Sequence, residues 1–232
     1  MSIQYDVIII GAGAAGMMSA IEAGKRGRKV LLVDHYKKIG EKIRISGGGR
    51  CNFTNIHTNP NKFLSQNPKF IKSALSQYTQ NDFINLIKKY EIKFHEKKLG
   101  QLFCDQSAQQ IVEMLLKECQ LANVTILKNF IIKDVSKEND QYLVSTETDK
   151  YSSQSLIVAT GGLSVPKIGA TSFGYEIAKK FDHQIIETLP ALVPLTFNEK
   201  ILEMCKELTG LSVEAIVSFN KVLFQEGMLF TH

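Results

Sequence analysis

YDVIIIGAGAAGMMSAIEAGKRGRKVLLVD, residues 5–34, is the stretch that decides the fold. Its first six residues are β-branched and apolar at almost every position, the pattern of a strand covered on both faces rather than on one. GAGAAG (11–16) follows without a spacer, MMSAIEAGKRG then reads as a helix closed near Gly27, and KVLLVD (29–34) is a second buried strand ending in an acid. Strand, glycine turn, helix and strand within some thirty residues make a βαβ unit.

The chemistry follows from the turn. Gly11, Gly13 and Gly16 form GxGxxG, with Ala12, Ala14 and Ala15 between them. The first glycine permits the tight turn, the second lets a pyrophosphate approach the backbone, and the third lets helix and strand pack closely. The helix N-terminus adds unpaired N–H groups and a positive dipole end. Asp34 ends the second strand, where a carboxylate can accept hydrogen bonds from a ribose diol and repel a 2′-phosphate; His35 follows it as a possible flank of the adenosine. GxGxxG alone is a weak signal, since a ligand-free turn or a kinase glycine loop shares the spacing. The helix after Gly16 and the acid at 34 exclude the kinase loop and favour a dinucleotide site.

Working outward, HYKKIGEKIRISGGGRCNFTN (35–55) is read as a long loop, where an NAD dehydrogenase would continue into a helix and a third parallel strand. Backbone amides of Ser46, Gly47, Gly48 and Gly49 can approach a flat ring. Lys42, Arg44 and Arg50 can offset negative charge, and Asn52 can read ring carbonyls. An elongated cofactor, FAD, fits this better than NAD. SLIVATGGLS (155–164) adds a buried strand ending in Ala159, Thr160, Gly161 and Gly162, after a three-stranded meander expected over 124–149. Helical patterns fall around 67–90, 107–122, 174–181 and 199–207, with Ser107 as an N-cap and a hairpin over 92–104; beyond Pro190 the character shifts at LVPLTF, and β-like runs extend over 211–231.

At 232 residues, 44% hydrophobic and a net charge of +5, the chain can bury a real core. Its Lys and Arg residues look dispersed, which argues against a nucleic-acid partner. The four cysteines, at 51, 104, 119 and 205, form no CxxC pair, so neither a zinc site nor a disulfide framework is expected, and a reducing, cytoplasmic setting fits. Cys51 is read as a packed thiol, because no second cysteine is near in sequence. His57 stands beside the glycine loop without partner spacing. No basic n-region or membrane-length apolar run occurs. No metal set or acid–base residue is nominated.

These same residues carry a resemblance. YDVIIIGAGAAGMMSAIEAGKRGRKVLLVD, GEKIRISGGGRCNFTN and LIVATGGLSVPKIGATSFGYEIAKKF, followed by PALVPL, resemble the HI0933-like (BaiN/RdsA-like, YhiN-like) family of NAD(P)/FAD-dependent oxidoreductases. The resemblance implies FAD contacts by Gly11–Gly16, Asp34, Lys42, Ser46–Gly49, the Arg50-Cys51-Asn52 run and Ala159–Gly162, with the strand near Phe130–Ile132, Ile131 at its centre, passing the adenine. It implies an α/β fold: a Rossmann-like, glutathione-reductase-type FAD domain over 1–188, with a helical and hairpin excursion at about 60–104, and the incomplete start of an inserted β-rich domain over 189–232. Members are longer than this chain, so an early C-terminal stop is expected. The expected activity is flavin hydride transfer between NAD(P)H and a small amino-ketone or enone-like substrate, with no obligate protein partner. An NAD-only dehydrogenase and a truncated, non-catalytic flavin binder are the alternatives.

Overall fold

The computed structural model describes residues 2–165, 168–190 and 194–231. Met1, the Pro-Lys pair of the SVPKIGA motif, the ALV of PALVPL and His232 lie outside the described residues. Two compact units result, Met1–Ile185 and Ile186–His232.

The first unit opens as its sequence dictates. β1 (Ile3–Ile10) runs into α1 (Ala14–Lys25) and then β2 (Val30–Val33), with β1 and β2 parallel. Val7 and Ile9 of β1 pack into one core layer with Met17, Ile111 and Leu115, while Ile8 and Ile10 pack into the opposite layer with Phe130, Val144 and Ile177. Both faces are covered, which is why the strand shows no polar alternation. Ile8, Ile9, Leu31 and Leu32 are fully enclosed, and each such side chain contributes about 1.5–3 kcal/mol relative to an exposed one.

The segment after β2 is more structured than a loop. It contains α2 (Glu41–Ile45), a tight turn at Ser46–Gly49 and β3 (Asn52–Asn55). Gly47 and Gly48 take left-handed φ values of 56° and 66°, and a Cβ on Gly47 would stand 2.6 Å from the Phe103 ring. Three adjacent glycines therefore serve a reversal that L side chains resist. Next come α3 (Phe70–Gln77), α4 (Gln80–Lys89), β4 (Phe94–Glu96) and β5 (Gln101–Cys104), with β5 paired antiparallel to both β3 and β4. α5 (Gln109–Leu121) has Ala108 at its cap; Ser107 instead accepts the Gln109 N–H through its hydroxyl at 3.1 Å.

The meander differs from the expected 124–149. β6 (Thr125–Leu127) leaves it and lies parallel to β2 at the far edge, so the antiparallel trio is β7 (Asp134–Glu138), β8 (Gln141–Ser145) and β9 (Lys150–Val158). The sheet order is β6-β2-β1-β9-β8-β7, with β9 parallel to β1 on its other side. Residues 130–132 are an irregular segment between β6 and β7, not a strand. α6 (Phe173–Lys180) completes this unit.

The second unit holds α7 (Glu199–Glu207) and a hairpin of β10 (Ser212–Phe219) and β11 (Val222–Leu229). Residues 194–198 form no regular element.

Candidate functional site

Parallel strands β1, β2 and β9 end at one edge, and their continuations meet there. Gly11 N–H donates to Val33 O at 2.8 Å, Ala159 N–H to Ile10 O at 2.8 Å and Asp34 N–H to Leu127 O at 3.0 Å. This crevice outside the carboxyl ends of parallel strands is where α/β sheets bind ligands. Two adjoining cavities of about 810 and 290 Å³ occupy it, sharing Gly11, Asp34, His35, Thr160 and Gly169 in their walls.

The glycine turn is built by close approach. A Cβ on Gly16 would lie 1.8 Å from Gly11 O, and one on Gly11 would lie 2.5 Å from Ala159 O. Gly13 is the opposite case, with nothing within 4 Å of its Cβ position, and it caps α1 without a side-chain bond. Ala14 and Ala15 are exposed in the larger cavity, so the first turn of the helix faces open space. Gly16 lies beneath the turn and lines neither cavity.

Asp34 is more occupied than its sequence position suggests. One carboxylate oxygen accepts Ala12 N–H at 2.7 Å and the other accepts Tyr36 N–H at 2.8 Å, with His35 Nδ1 3.5 Å away. The acid locks the glycine turn against β2 and keeps one lone pair per oxygen for a ligand. Asp34→Asn should therefore do more than remove a charge. An amide can accept through one oxygen only and would aim N–H at N–H, so FAD affinity in a fluorescence titration should fall about 10-fold or more. Unchanged affinity would remove Asp34 from the site.

The segment after β2 forms the facing wall. Lys42 Nζ donates to Gly162 O at 3.0 Å, tying that segment to the loop after β9. Ser46, Cys51 and Asn52 line the larger cavity, whereas Gly47, Gly48, Gly49 and Arg50 turn the chain behind it; Gly162 likewise stands behind Ala159, Thr160 and Gly161. Ile131 lines the smaller cavity with Phe130 and Ile132. His57 lines neither cavity and donates its backbone N–H to Asn55. Tyr36, Phe53, Phe83 and Tyr175 join the lining. No periodicity marks them, although a Tyr directly after the Asp-His pair is a local signal for the first.

Cys51 has a neighbour that spacing hides. Asn52 pairs with Phe103, and Cys104 N–H donates to Arg50 O at 2.9 Å, so Cys104 lies beside Cys51 across the sheet. Both are buried free thiols. Burial pushes Cys51 up despite a hydrogen bond with Ser46, and burial plus the nearby Cys51 and Asp105 push Cys104 up to about 12. Thiols held protonated are poor nucleophiles, so the pair reads as packing.

The trench suits an elongated dinucleotide. Bare backbone at Gly13, an uncapped helix start, an acid at the end of β2 and a second polar wall near Lys42 and Asn52 match the two ends and the phosphate centre of FAD. The sheet, the glycine turn and this trench define an α/β protein with the Rossmann-type fold of FAD-binding domains. Residues 5–225 match the HI0933-like protein Rossmann domain, and the chain belongs to that family. It is 48% identical over 230 residues to the ribosomal RNA dihydrouridine synthase of Escherichia coli (strain K12), covering 99% of this chain and 58% of that protein. With the enzyme of the same name from Haemophilus influenzae it shares 45% over 237 residues, 100% of this chain and 59% of that one. The 3-dehydro-bile acid delta(4,6)-reductase of Clostridium scindens is 26% identical over 191 residues, 81% of this chain and 46% of that one. The chain thus spans somewhat more than half the length of these two curated relatives. Its fold is shared with the 3-ketosteroid-delta4-(5alpha)-dehydrogenase of Rhodococcus jostii RHA1, at TM-score 0.51 and 12% identity over 69% of this chain and 46% of that one. Among the described residues, no helix is long and apolar enough to cross a membrane and no His/Cys/Asp/Glu group is arranged to hold a metal.

Proposed function

We propose that this chain is the FAD-binding portion of a reductase that saturates a carbon–carbon double bond conjugated to a carbonyl, and that its substrate is a uridine base in ribosomal RNA. The observation that carries the reading is 48% identity, along 99% of the chain, to a protein named for making dihydrouridine in ribosomal RNA. The bile acid reductase supports the coarser reaction class, because the C5–C6 bond of uracil is also conjugated to a carbonyl. This reading sets aside the expectation of a substrate without nucleic acid and the amino-ketone option.

Bound FAD would supply a carrier for two electrons between a reduced nicotinamide and the substrate carbon. The chain's own groups do the holding. The first turn of α1 and Gly13 receive phosphate, Asp34 fixes the turn and accepts from a ribose, and the wall of Ser46, Cys51 and Asn52 bounds the opposite end. Overall, NAD(P)H and a proton add two hydrogens across the double bond and leave NAD(P)⁺. An NAD-only dehydrogenase would need a βα unit directly after Asp34, whereas here α2 through β5 intervene before α5 and β6.

Purified protein should take up one equivalent of FAD, be bleached by NADH or NADPH without oxygen, and raise the mass of a uridine in a ribosomal RNA fragment by two hydrogens. A colourless protein that refuses FAD would sink the cofactor, and a bleached flavin with unchanged RNA would sink the substrate.

A further inference from the structure

Between Glu41 and Asp82 the chain holds no acidic residue, but six cations: Lys42, Arg44, Arg50, Lys62, Lys69 and Lys72. Averaging charge over the whole chain conceals this. Within the stretch, residues 61–70 are all exposed, and α3 buries no side chain completely. Its inward stripe is only the half-buried Ile71 and Leu75, so Lys69, Lys72, Ser73 and Ser76 face outward. Exposed rings and apolar groups alternate with the cations: Phe63 is 43% exposed, Leu64 96%, Phe70 79% and Tyr78 40%. Among the described residues, none of Lys62, Lys69 and Lys72 pairs with a carboxylate.

Both ends of this segment are anchored at the larger cavity. It leaves β3, whose Asn52 and Phe53 line that cavity, and returns into α4, whose Phe83 lines it too. Gln80 Nε2 donates to Ile56 O at 3.1 Å and closes the base of the excursion.

Resting on the ribosomal-RNA reading above, we infer that residues 56–78 are the platform on which RNA docks beside the cofactor trench. Lys62, Lys69 and Lys72 pair with phosphates, and Phe63 and Phe70 stack on unpaired bases. Charge complementarity names the partner. An unbroken positive stretch with free aromatic faces matches a single-stranded polyanion with flat bases, the combination used by proteins that bind unpaired strands. A purely apolar protein partner would leave these lysines desolvated and unpaired.

The test is fluorescence anisotropy of a labelled RNA hairpin with a uridine-containing loop, across a salt series. The protein is compared with the combined Lys62→Ala, Lys69→Ala, Lys72→Ala variant, with Phe70→Ala, and with a charge-matched Lys117→Ala, Lys150→Ala, Lys179→Ala control. The platform variant should bind about 10- to 100-fold more weakly, with its log–log salt slope reduced by about 2, since each single-strand phosphate contact contributes about 0.7. Phe70→Ala should weaken binding about 10-fold with the slope unchanged. The control and FAD uptake should not move. Equal losses in platform variant and control would overturn the assignment, leaving only diffuse attraction. Unchanged RNA binding with an altered molecular mass in light scattering would overturn it in favour of a protein interface. If the parent protein binds no hairpin at all while FAD is bleached by NAD(P)H, the ribosomal-RNA reading falls as well, an outcome distinct from the other two.

Discussion

Gly16→Ala should not yield a stable yellow protein, while Gly13→Ala, three residues away in the same motif, should fold and fail to hold FAD. At position 16 a methyl group would stand 1.8 Å from Gly11 O, well inside contact distance. Neither atom can yield. Gly11 is held by its N–H on Val33 O, and its own Cβ position is pressed to 2.5 Å from Ala159 O. Relief would need β1 and α1 to separate across the most buried part of the sheet, a cost at or above the ~3 kcal/mol upper range for overpacking. In a domain this size that lowers the melting temperature by about 10 °C. At position 13 the methyl group meets nothing within 4 Å and the backbone is extended, so the fold should lose only about 1 kcal/mol at the cap. The space it fills is the space a pyrophosphate would need, so FAD affinity should drop at least ~10-fold. Thermal melts of the FAD-free proteins and FAD titrations separate the two effects. A Gly13→Ala protein that keeps full flavin would show that the phosphates do not pass there.

Glu118 carries the second large effect, on stability. It is a carboxylate on α5 only 2% exposed, yet it is well satisfied: Lys25 of α1 lies 2.9 Å from one oxygen, and Lys89 and the Tyr90 hydroxyl donate to the other at 2.8 Å. Three helical segments are clasped at one point. Burial alone would raise its pKa, but the hydrogen bonds from Lys89, Lys25 and Tyr90 outweigh that and hold it at about 2. Tyr90 is pushed up to about 12, first by burial and then by its bond to the carboxylate. A depressed folded pKa gives stability that is present above the unfolded value of 4.5 and is lost as the pH falls toward 2. Because both lysine heads are half in water, screening trims the contribution to about 2 kcal/mol. Glu118→Gln should cost about that much at neutral pH, with the difference shrinking below pH 4.5 and closing only as the pH falls through 2 in denaturant titrations. Identical acid profiles for the two proteins would refute the clasp. Glu118→Ala should do worse, since it strands two cations and a hydroxyl beside a cavity.

The βαβ unit could be read from residues 5–34 because every cue there is local: apolar strands, glycines at fixed offsets, an acid at a strand end. The hairpins and helices over 67–122 and 199–229 were legible for the same reason, as their periodicity and turns lie within a few residues of one another. Errors came where partners are far apart. β6 reads like a meander strand, but the edge of β2 is open to it and claims it. α2 and β3 were hidden in a glycine-rich stretch because their partners, α5 for the first and β5 for the second, lie elsewhere in the chain.

The amino-acid sequence by itself determined that a dinucleotide-type turn opens this chain, since glycine spacing and buried strands admit few other outcomes. Only the tertiary structure decided that Asp34 braces that turn with one oxygen and the segment after β2 with the other, that Lys42 joins two glycine loops 120 residues apart, that Cys104 neighbours Cys51, and that the cationic segment 56–78 leaves and rejoins the fold beside the trench. Those facts depend on which distant segments the sheet brings together. Strand pairing and side-chain reach set them, and no local pattern encodes either.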